Sequence, residues 1–335
     1  MQVSQRIRTR CPAGQSQGQR TPLSVRASSS AVPAVTKTVE AAKLDLADSF
    51  AFYKKAPPSQ KWDAAKEIAT TFRAAKAAGA LPRWGAALEN IKRRNVFQNE
   101  LRQVGIKDPG MIAIPSARNE QAFMLVVVGT TSVGAVAAGA FLPGQWGFWG
   151  QYLIGGISFA VLAIGSTVPG VLQFAIDKFS LVFPDYKDRV VRHEAAHFLI
   201  GYLTACPVTS YSLLLGEERV EFAEARIGKR LIEKTLEDEE IDSLAAVAVA
   251  GIAAEGQQYE EVMGQTADLL DLQRILMRSR VKLSALQQQN VTRWAVFTAG
   301  ALLRTHKREH EAVMEAMARG ASTMECVEAI EAVPL

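Results

Sequence analysis

The amino-acid sequence predicts a mainly α-helical protein, a transmembrane helical hairpin followed by an all-helical soluble domain. Three observations carry this. From Gln121 to Ile176 there is no Asp, Glu, Lys, Arg or His, a stretch too long for one buried helix and long enough for two spans of ~20 residues. On either side apolar residues recur at helical spacing, with Pro or Gly at the breaks. Strand-forming residues gather in one short run, Val208 to Leu215, which allows a single pairing near Ser210 to Glu221.

Residues 1–30 carry Arg6, Arg8, Arg10, Arg20 and Arg26 among Ser, Gln and Thr, and the first acidic residue is Glu40. A basic, acid-free segment without an apolar core reads as an organelle transit peptide, with Val25-Arg26-Ala27-Ser28 as a stromal processing site and the plastid as destination. Residues 31–118 are expected to form a helical stromal region. Phe50, Tyr53, Trp62, Ile68, Phe72 and Trp84 fall at helical spacing, and Pro57-Pro58 divides the region into at least two helices. Its expected role is packing.

The hairpin is expected over residues 119–177, with spans Ala122 to Leu142 and Gln151 to Ile176. The connection from Pro143 to Trp149, with Trp146, Trp149 and Tyr152, suits a membrane interface. Gly134 with Ala138, and Gly155 with Ser158, would let the two helices approach closely. Both flanks are basic, Arg93, Arg94, Arg102, Lys107 and Arg118 before, then Lys178, Lys187, Arg189 and Arg192 after. Positive flanks resist translocation, so residues 178–335 are expected in the stroma, beside the thylakoid or inner envelope membrane.

The net charge of +4 arises from interspersed signs, with much of the excess in the first segment, so no nucleic-acid-binding stripe is present. Cys11, Cys206 and Cys326 are too far apart for a CxxC metal site, and a disulfide framework is excluded.

Chemistry enters with His193-Glu194-Ala195-Ala196-His197. Pro184 and Asp185 can start a helix and Cys206-Pro207 can end it. On that helix the two histidines stand one above the other, the geometry by which two imidazoles share a zinc ion. Glu194, beside them, can take a proton from a metal-activated water. Chance would produce this spacing only about once in a few hundred chains so poor in histidine. The second pair, His306 and His310, lacks a Glu beside its first member and reads as a solvated helix face. A catalytic zinc takes a third protein ligand. Downstream, Glu255 ends one apolar helix, and Thr266 can cap another that carries Asp268 and Asp271.

With these segments in order, residues 185–276 resemble the peptidase domain of the FtsH-type AAA metalloproteases. His193-Glu194-Ala195-Ala196-His197 matches that family's His-Glu-Ala-Gly-His helix, with Ala196 where glycine is usual. Ala250-Gly251-Ile252-Ala253-Ala254-Glu255 is similar to its second segment, with Ile252 in place of arginine, and Gly264-Gln265-Thr266-Ala267-Asp268 to its third. The resemblance implies zinc held by His193, His197 and Asp268, Glu194 as general base, and Glu255 outside the ligand ring, with Asp271 or Glu255 as alternative ligands. It also implies a polypeptide substrate and a homo-oligomer or a mixed assembly with FtsH-type ATPase subunits. No Gly-x-x-x-x-Gly-Lys-Ser/Thr loop occurs in the chain, so an ATPase would have to come from a partner.

The expected activity is therefore zinc-dependent cleavage of loosely folded polypeptide at the stromal membrane surface. The alternative is a non-proteolytic scaffold or assembly factor acting with FtsH-type hexamers. An intramembrane protease is disfavoured by Arg189 and Arg192, which precede the motif.

Overall fold

The structure is a computed structural model that describes residues 31–114, 116–214, 218–223 and 236–334. The expected transit peptide, residues 1–30, lies outside the described residues.

Helices α1 (Ala31–Lys55) and α2 (Lys61–Ala77) fold back on each other across Pro57-Pro58, where the missing N–H groups stop helix propagation. α2 buries Ala64, Ile68, Phe72 and Ala75, one stripe at helical spacing. Ser49 Oγ meets Thr71 Oγ1 at 3.1 Å, and the Phe50 and Phe72 rings meet edge to face with centroids 5.9 Å apart.

This helical pair has no separate core. Phe72 stacks on Trp84 at 5.5 Å and meets Tyr202 at 6.2 Å, and Leu46, Phe72, Trp84, Tyr202 and Leu203 belong to one buried cluster. The segment after α2 also completes a helix of the C-terminal part. The Gly85 and Ala87 N–H groups donate to the Tyr202 and Leu203 carbonyls at 3.0 and 2.9 Å, two carbonyls in the last turn of that helix, beyond its regular ladder of bonds.

Next come α3 (Arg118–Phe141), α4 (Gln145–Thr167) and α5 (Pro169–Ser180). α3 and α4 are long and apolar enough to cross a membrane, at about 1.5 Å per residue. Leu125, Val133, Val136 and Phe159 on them are largely exposed. Thr131 and Ser158 hydroxyls meet between them at 2.6 Å, and a Cβ on Gly134 would lie 3.1 Å from Ile154.

The second apolar helix differs from the expected span in two ways. It ends at Thr167, with Ile176 on α5 instead, because Val168 leaves the helical region (φ −136°, ψ 69°) ahead of Pro169. Trp146 and Trp149, expected in the connection, sit in its first turns and are exposed. α5 is fastened at the base of the hairpin, where Asn119 Nδ2 donates to Ser180 Oγ at 2.7 Å and Phe179 meets Phe123 at 5.6 Å.

The C-terminal part comprises α6 (Tyr186–Leu203), β1 (Val208–Ser212), β2 (Arg219–Phe222), α7 (Asp238–Ala248), α8 (Ala250–Gln258), α9 (Gln265–Leu276), α10 (Ala285–Thr305), α11 (Lys307–Ala318) and α12 (Thr323–Ala332). It is not all-helical. β1 and β2 pair antiparallel, with Ser210 opposite Glu221 and Val208 opposite Phe222, at the place where strand formers were concentrated.

α6 is the central rod. From Ala195 to Leu203 it is almost wholly buried, packed on α8, α11 and the β1–β2 pair. A Cβ at Gly201 would overlap the Phe222 ring, so the absence of a side chain there lets β2 lie against α6. The helix closes with paired bonds from Ala205 N–H to Tyr202 O (3.3 Å) and from Cys206 N–H to Gly201 O (2.8 Å). Ala205 takes the left-handed conformation (φ 56°) that this kind of end requires.

The expectation for His306 and His310 is corrected by the structure. His310 is buried, and its Nε2–H donates to the Arg192 carbonyl at 3.0 Å. Glu309 is buried against Arg83 at 3.3 Å. A charge-rich sequence faces inward here because α11 packs across α6. Burial pushes the His310 imidazole down from its ordinary 6.5 to about 4, although its bond to the Arg192 carbonyl pulls the other way.

Above pH 6.5 both folded and unfolded chains hold His310 neutral. Between pH 6.5 and 4 only the unfolded chain takes up the proton, so stability falls as the pH falls through that window, by roughly 3 kcal/mol at its lower end. Denaturant midpoints measured from pH 7 to 4 will fall less for His310→Gln than for the unmodified chain. Equal falls in both proteins would contradict the assignment.

Candidate metal centre

Three elements bring the predicted residues together. α6 presents His193, Glu194 and His197, α8 presents Glu255, and α9 presents Asp268 in its first turn. His193 Nε2 and His197 Nε2 stand 3.1 Å apart. The Asp268 carboxylate faces both, with Oδ2 3.4 Å from His193 Nε2 and Oδ1 3.3 Å from His197 Nε2. Donors bound tetrahedrally to one ion at zinc-like lengths are separated by about 3.3–3.4 Å. His193, His197 and Asp268 can therefore hold a metal ion.

The outer ring nitrogens settle which way the lone pairs point. His197 Nδ1 lies 2.8 Å from the Val247 carbonyl, an acceptor, so it carries the hydrogen. That carbonyl sits where α7 gives way to α8 across Val249, and it also accepts from the Val249 N–H. His193 Nδ1 likewise donates to Glu255 Oε1 at 2.8 Å. In the neutral rings both Nε2 lone pairs consequently face inward, toward each other and toward Asp268. That arrangement is repulsive unless a cation or a shared proton lies between the donors.

Glu255 also accepts from the Met263 N–H (3.0 Å) and the Gly264 N–H (3.4 Å). One carboxylate thus orients His193 and fixes the turn that places Asp268. Arg189, one turn before His193, lies 3.7 Å from Glu255, donates to the Glu261 carbonyl at 3.0 Å and stacks over the Tyr259 ring at 3.7 Å. Asp271, an alternative ligand by sequence, is not part of the cluster. It stands a turn farther along α9, exposed, and pairs with Arg274 at 2.6 Å.

The electrostatics follow from burial and charge. Burial works against a charged His193, but the carboxylates of Asp268 and Glu255 raise its pKa well above the ordinary value. For His197, Asp268 likewise outweighs burial and raises the pKa. Burial would raise Asp268, yet the two imidazoles hold it far below the usual carboxylate range. Burial pushes Glu194 up against the pull of His197 and His193. Glu194 Oε2 and Asp268 Oδ2 are buried without a hydrogen-bond partner, oxygens that a ligand would satisfy.

Several contributors escaped the sequence reading. Arg189 registered only as flanking charge, and Val247 acts through its backbone. Gly251 and Gly264 form a slot for the His193 ring, since a Cβ on either would overlap it. The one available signal was that each glycine lies in a segment carrying a candidate carboxylate. Gly251→Ala is expected to displace the imidazole and weaken metal binding by about 10–100-fold, the range for disturbed supporting contacts, with helix content retained. Competition against a chromophoric chelator, alongside circular dichroism, measures both.

Comparison with protein-family models, with curated proteins and with solved structures finds no match for this chain.

Proposed function

We propose that the chain is a membrane-anchored zinc metalloendopeptidase, similar in its site to the FtsH-type peptidases but without an ATPase of its own. The observation that carries this reading is the convergence of two inward-facing imidazole nitrogens and the Asp268 carboxylate, with Glu194, whose buried Oε2 lacks a hydrogen-bond partner, next to His193 on the same helix. Two neutral imidazoles and one carboxylate are a donor set that suits zinc and leaves a fourth position for a substrate or water. Bound there, the ion would act as Lewis acid, polarising a peptide carbonyl and acidifying a water molecule.

The chain's own residues do the rest. Asp268 and the two histidines fix the donor triangle, and Glu255 and the Val247 carbonyl hold the rings in the required tautomer. Glu194 takes the proton of the attacking water and returns it to the leaving amine. α3 and α4 anchor the domain in the membrane, and their basic flanks favour the stromal side. The composition of residues 1–30 supports a plastid location, thylakoid or inner envelope.

The test uses the full chain purified in detergent. Stoichiometric zinc and cleavage of an unfolded protein are expected, with cleavage lost on chelation and restored by added zinc. Zinc without cleavage would overturn the enzymatic reading. One observation favours that second outcome, a scaffold joining FtsH-type ATPase subunits. His193, Glu194 and Asp268 are each under a tenth exposed, as in a structural site. A scaffold would tolerate Glu194→Gln in vivo, whereas a peptidase would not.

A further inference from the structure

At the foot of the apolar hairpin a line of charged groups runs from α3 to His193. Arg118, the first residue of α3, grips the Asp185 carboxylate with both terminal nitrogens, at 3.1 and 3.2 Å, a two-point grip that suits a guanidinium. Asp185 in turn accepts from Arg189 Nε at 2.8 Å. Arg118 foremost, and Arg189 with it, hold the Asp185 carboxyl below its ordinary range against the pull of burial. Arg189 carries positive charge inward, to 3.7 Å from Glu255 Oε2, and Glu255 Oε1 accepts from His193 Nδ1 at 2.8 Å.

The inner end of this line needs a cation. Glu255 is 2% exposed, and a carboxylate that deep is costly unless a positive charge accompanies its hydrogen bonds. His193, Met263 and Gly264 give it N–H groups, and Arg189 gives the charge. The guanidinium is itself buried and lies over the Tyr259 ring at 3.7 Å, so little water comes between the two groups to weaken their attraction. Held in this way, Glu255 keeps His193 turned with Nδ1 outward and the Nε2 lone pair toward Asp268 and His197.

The turn that places Asp268 is fastened from the same two sides. Arg189 Nη1 donates to the Glu261 carbonyl at 3.0 Å, and the Ser116 hydroxyl, two residues before α3 begins, donates to the Glu261 side chain at 2.6 Å. Gln265, wholly buried three residues before Asp268, donates to the Ile114 carbonyl.

We infer that Arg189 is a positioning residue of the metal centre, and that through Asp185 and Arg118 the membrane hairpin helps to set the orientation of His193. Neither arginine belongs to the donor triangle. Arg189 acts through Glu255, and Arg118 acts through Asp185 on Arg189. The inference rests on the metal-binding part of the reading above and does not require cleavage.

The experiment loads the full-length chain in lipid nanodiscs with cobalt, whose visible bands report ligand geometry, and measures affinity by competition with a chromophoric chelator. Arg189→Met keeps much of the side chain's bulk without its charge. Affinity is expected to fall about 10–100-fold and the cobalt bands to shift, with helix content retained by circular dichroism. Arg118→Met, farther out and with its side chain 37% exposed, should cost about twofold to fivefold. In the Arg189→Met background the same change should cost nothing more, because the line is already cut. Arg274→Met breaks an exposed pair on α9 and controls for lost surface charge, so affinity and bands should stay as they were.

Unchanged affinity and bands in Arg189→Met overturn the positioning role. Should that variant fail to fold, Arg118→Met decides alone, and affinity equal to that of the unmodified chain overturns the proposal. Losses that simply add in the double variant overturn the coupling to the hairpin. An unmodified chain that takes up neither cobalt nor zinc overturns the metal centre and the positioning role together, a result distinct from the others.

Discussion

Glu194→Gln will retain a full equivalent of zinc and lower the rate of peptide cleavage by about 10²–10⁴-fold, the usual contribution of a positioned general base. The amide keeps the size of the carboxyl group and its place on α6, between Ala195 and His193, so the helix and the donor triangle have no reason to move. It cannot accept the proton that the attacking water must lose. Glu194 is not one of the three converging residues, so metal affinity is predicted to be preserved. The two measurements, zinc per chain and cleavage rate, separate the roles cleanly. Cleavage above about one part in a hundred of the original rate would remove Glu194 from the base role. Loss of zinc would instead make it a ligand. A drop in kcat with little change in KM is expected, because the proton moves only in the transition state.

How far the sequence could be read depended on how local each feature was. The His193-Glu194-x-x-His197 helix is legible because both its spacing and its face are properties of five consecutive residues. The paired apolar helices are legible for the same reason, since length and missing charge decide them. Even the break that shortened α4 is written locally, in Pro169. Asp268 and Glu255 were read from motif order and from a resemblance, and the structure brings both to His193.

What failed was non-local. His310 looked solvated because Lys307, Arg308 and Glu311 surround it in the chain, but α11 turns that face onto Arg192 of α6. Asp271 is chemically equal to Asp268, and only the position of α9 against α6 excludes it. The supporting Val247 carbonyl and the Gly251 and Gly264 slot become visible only when helices distant in sequence are packed together. The N-terminal helices, expected to have a packing role, share their core with α6 through Phe72, Trp84 and Tyr202, a partner that their own residues do not reveal.

The sharpest test of the donor triangle compares those two aspartates. Asp268→Asn removes the anionic donor that faces both Nε2 atoms while preserving shape and one carbonyl oxygen. Without that charge the site offers a neutral oxygen in place of an anionic one to a divalent cation, in buried surroundings where the difference is large. Zinc affinity is expected to fall by more than about 100-fold, beyond the loss caused by disturbing a contact outside the ligand ring. Asp271→Asn removes an equal charge three residues away and breaks only an exposed pair with Arg274, so its affinity should stay within about twofold. Both are measured by competition against a chromophoric chelator, with circular dichroism to show that the helices persist. If Asp271→Asn released the metal and Asp268→Asn retained it, α9 would have to sit a turn away from where it packs, and the candidate metal centre built on it would be lost.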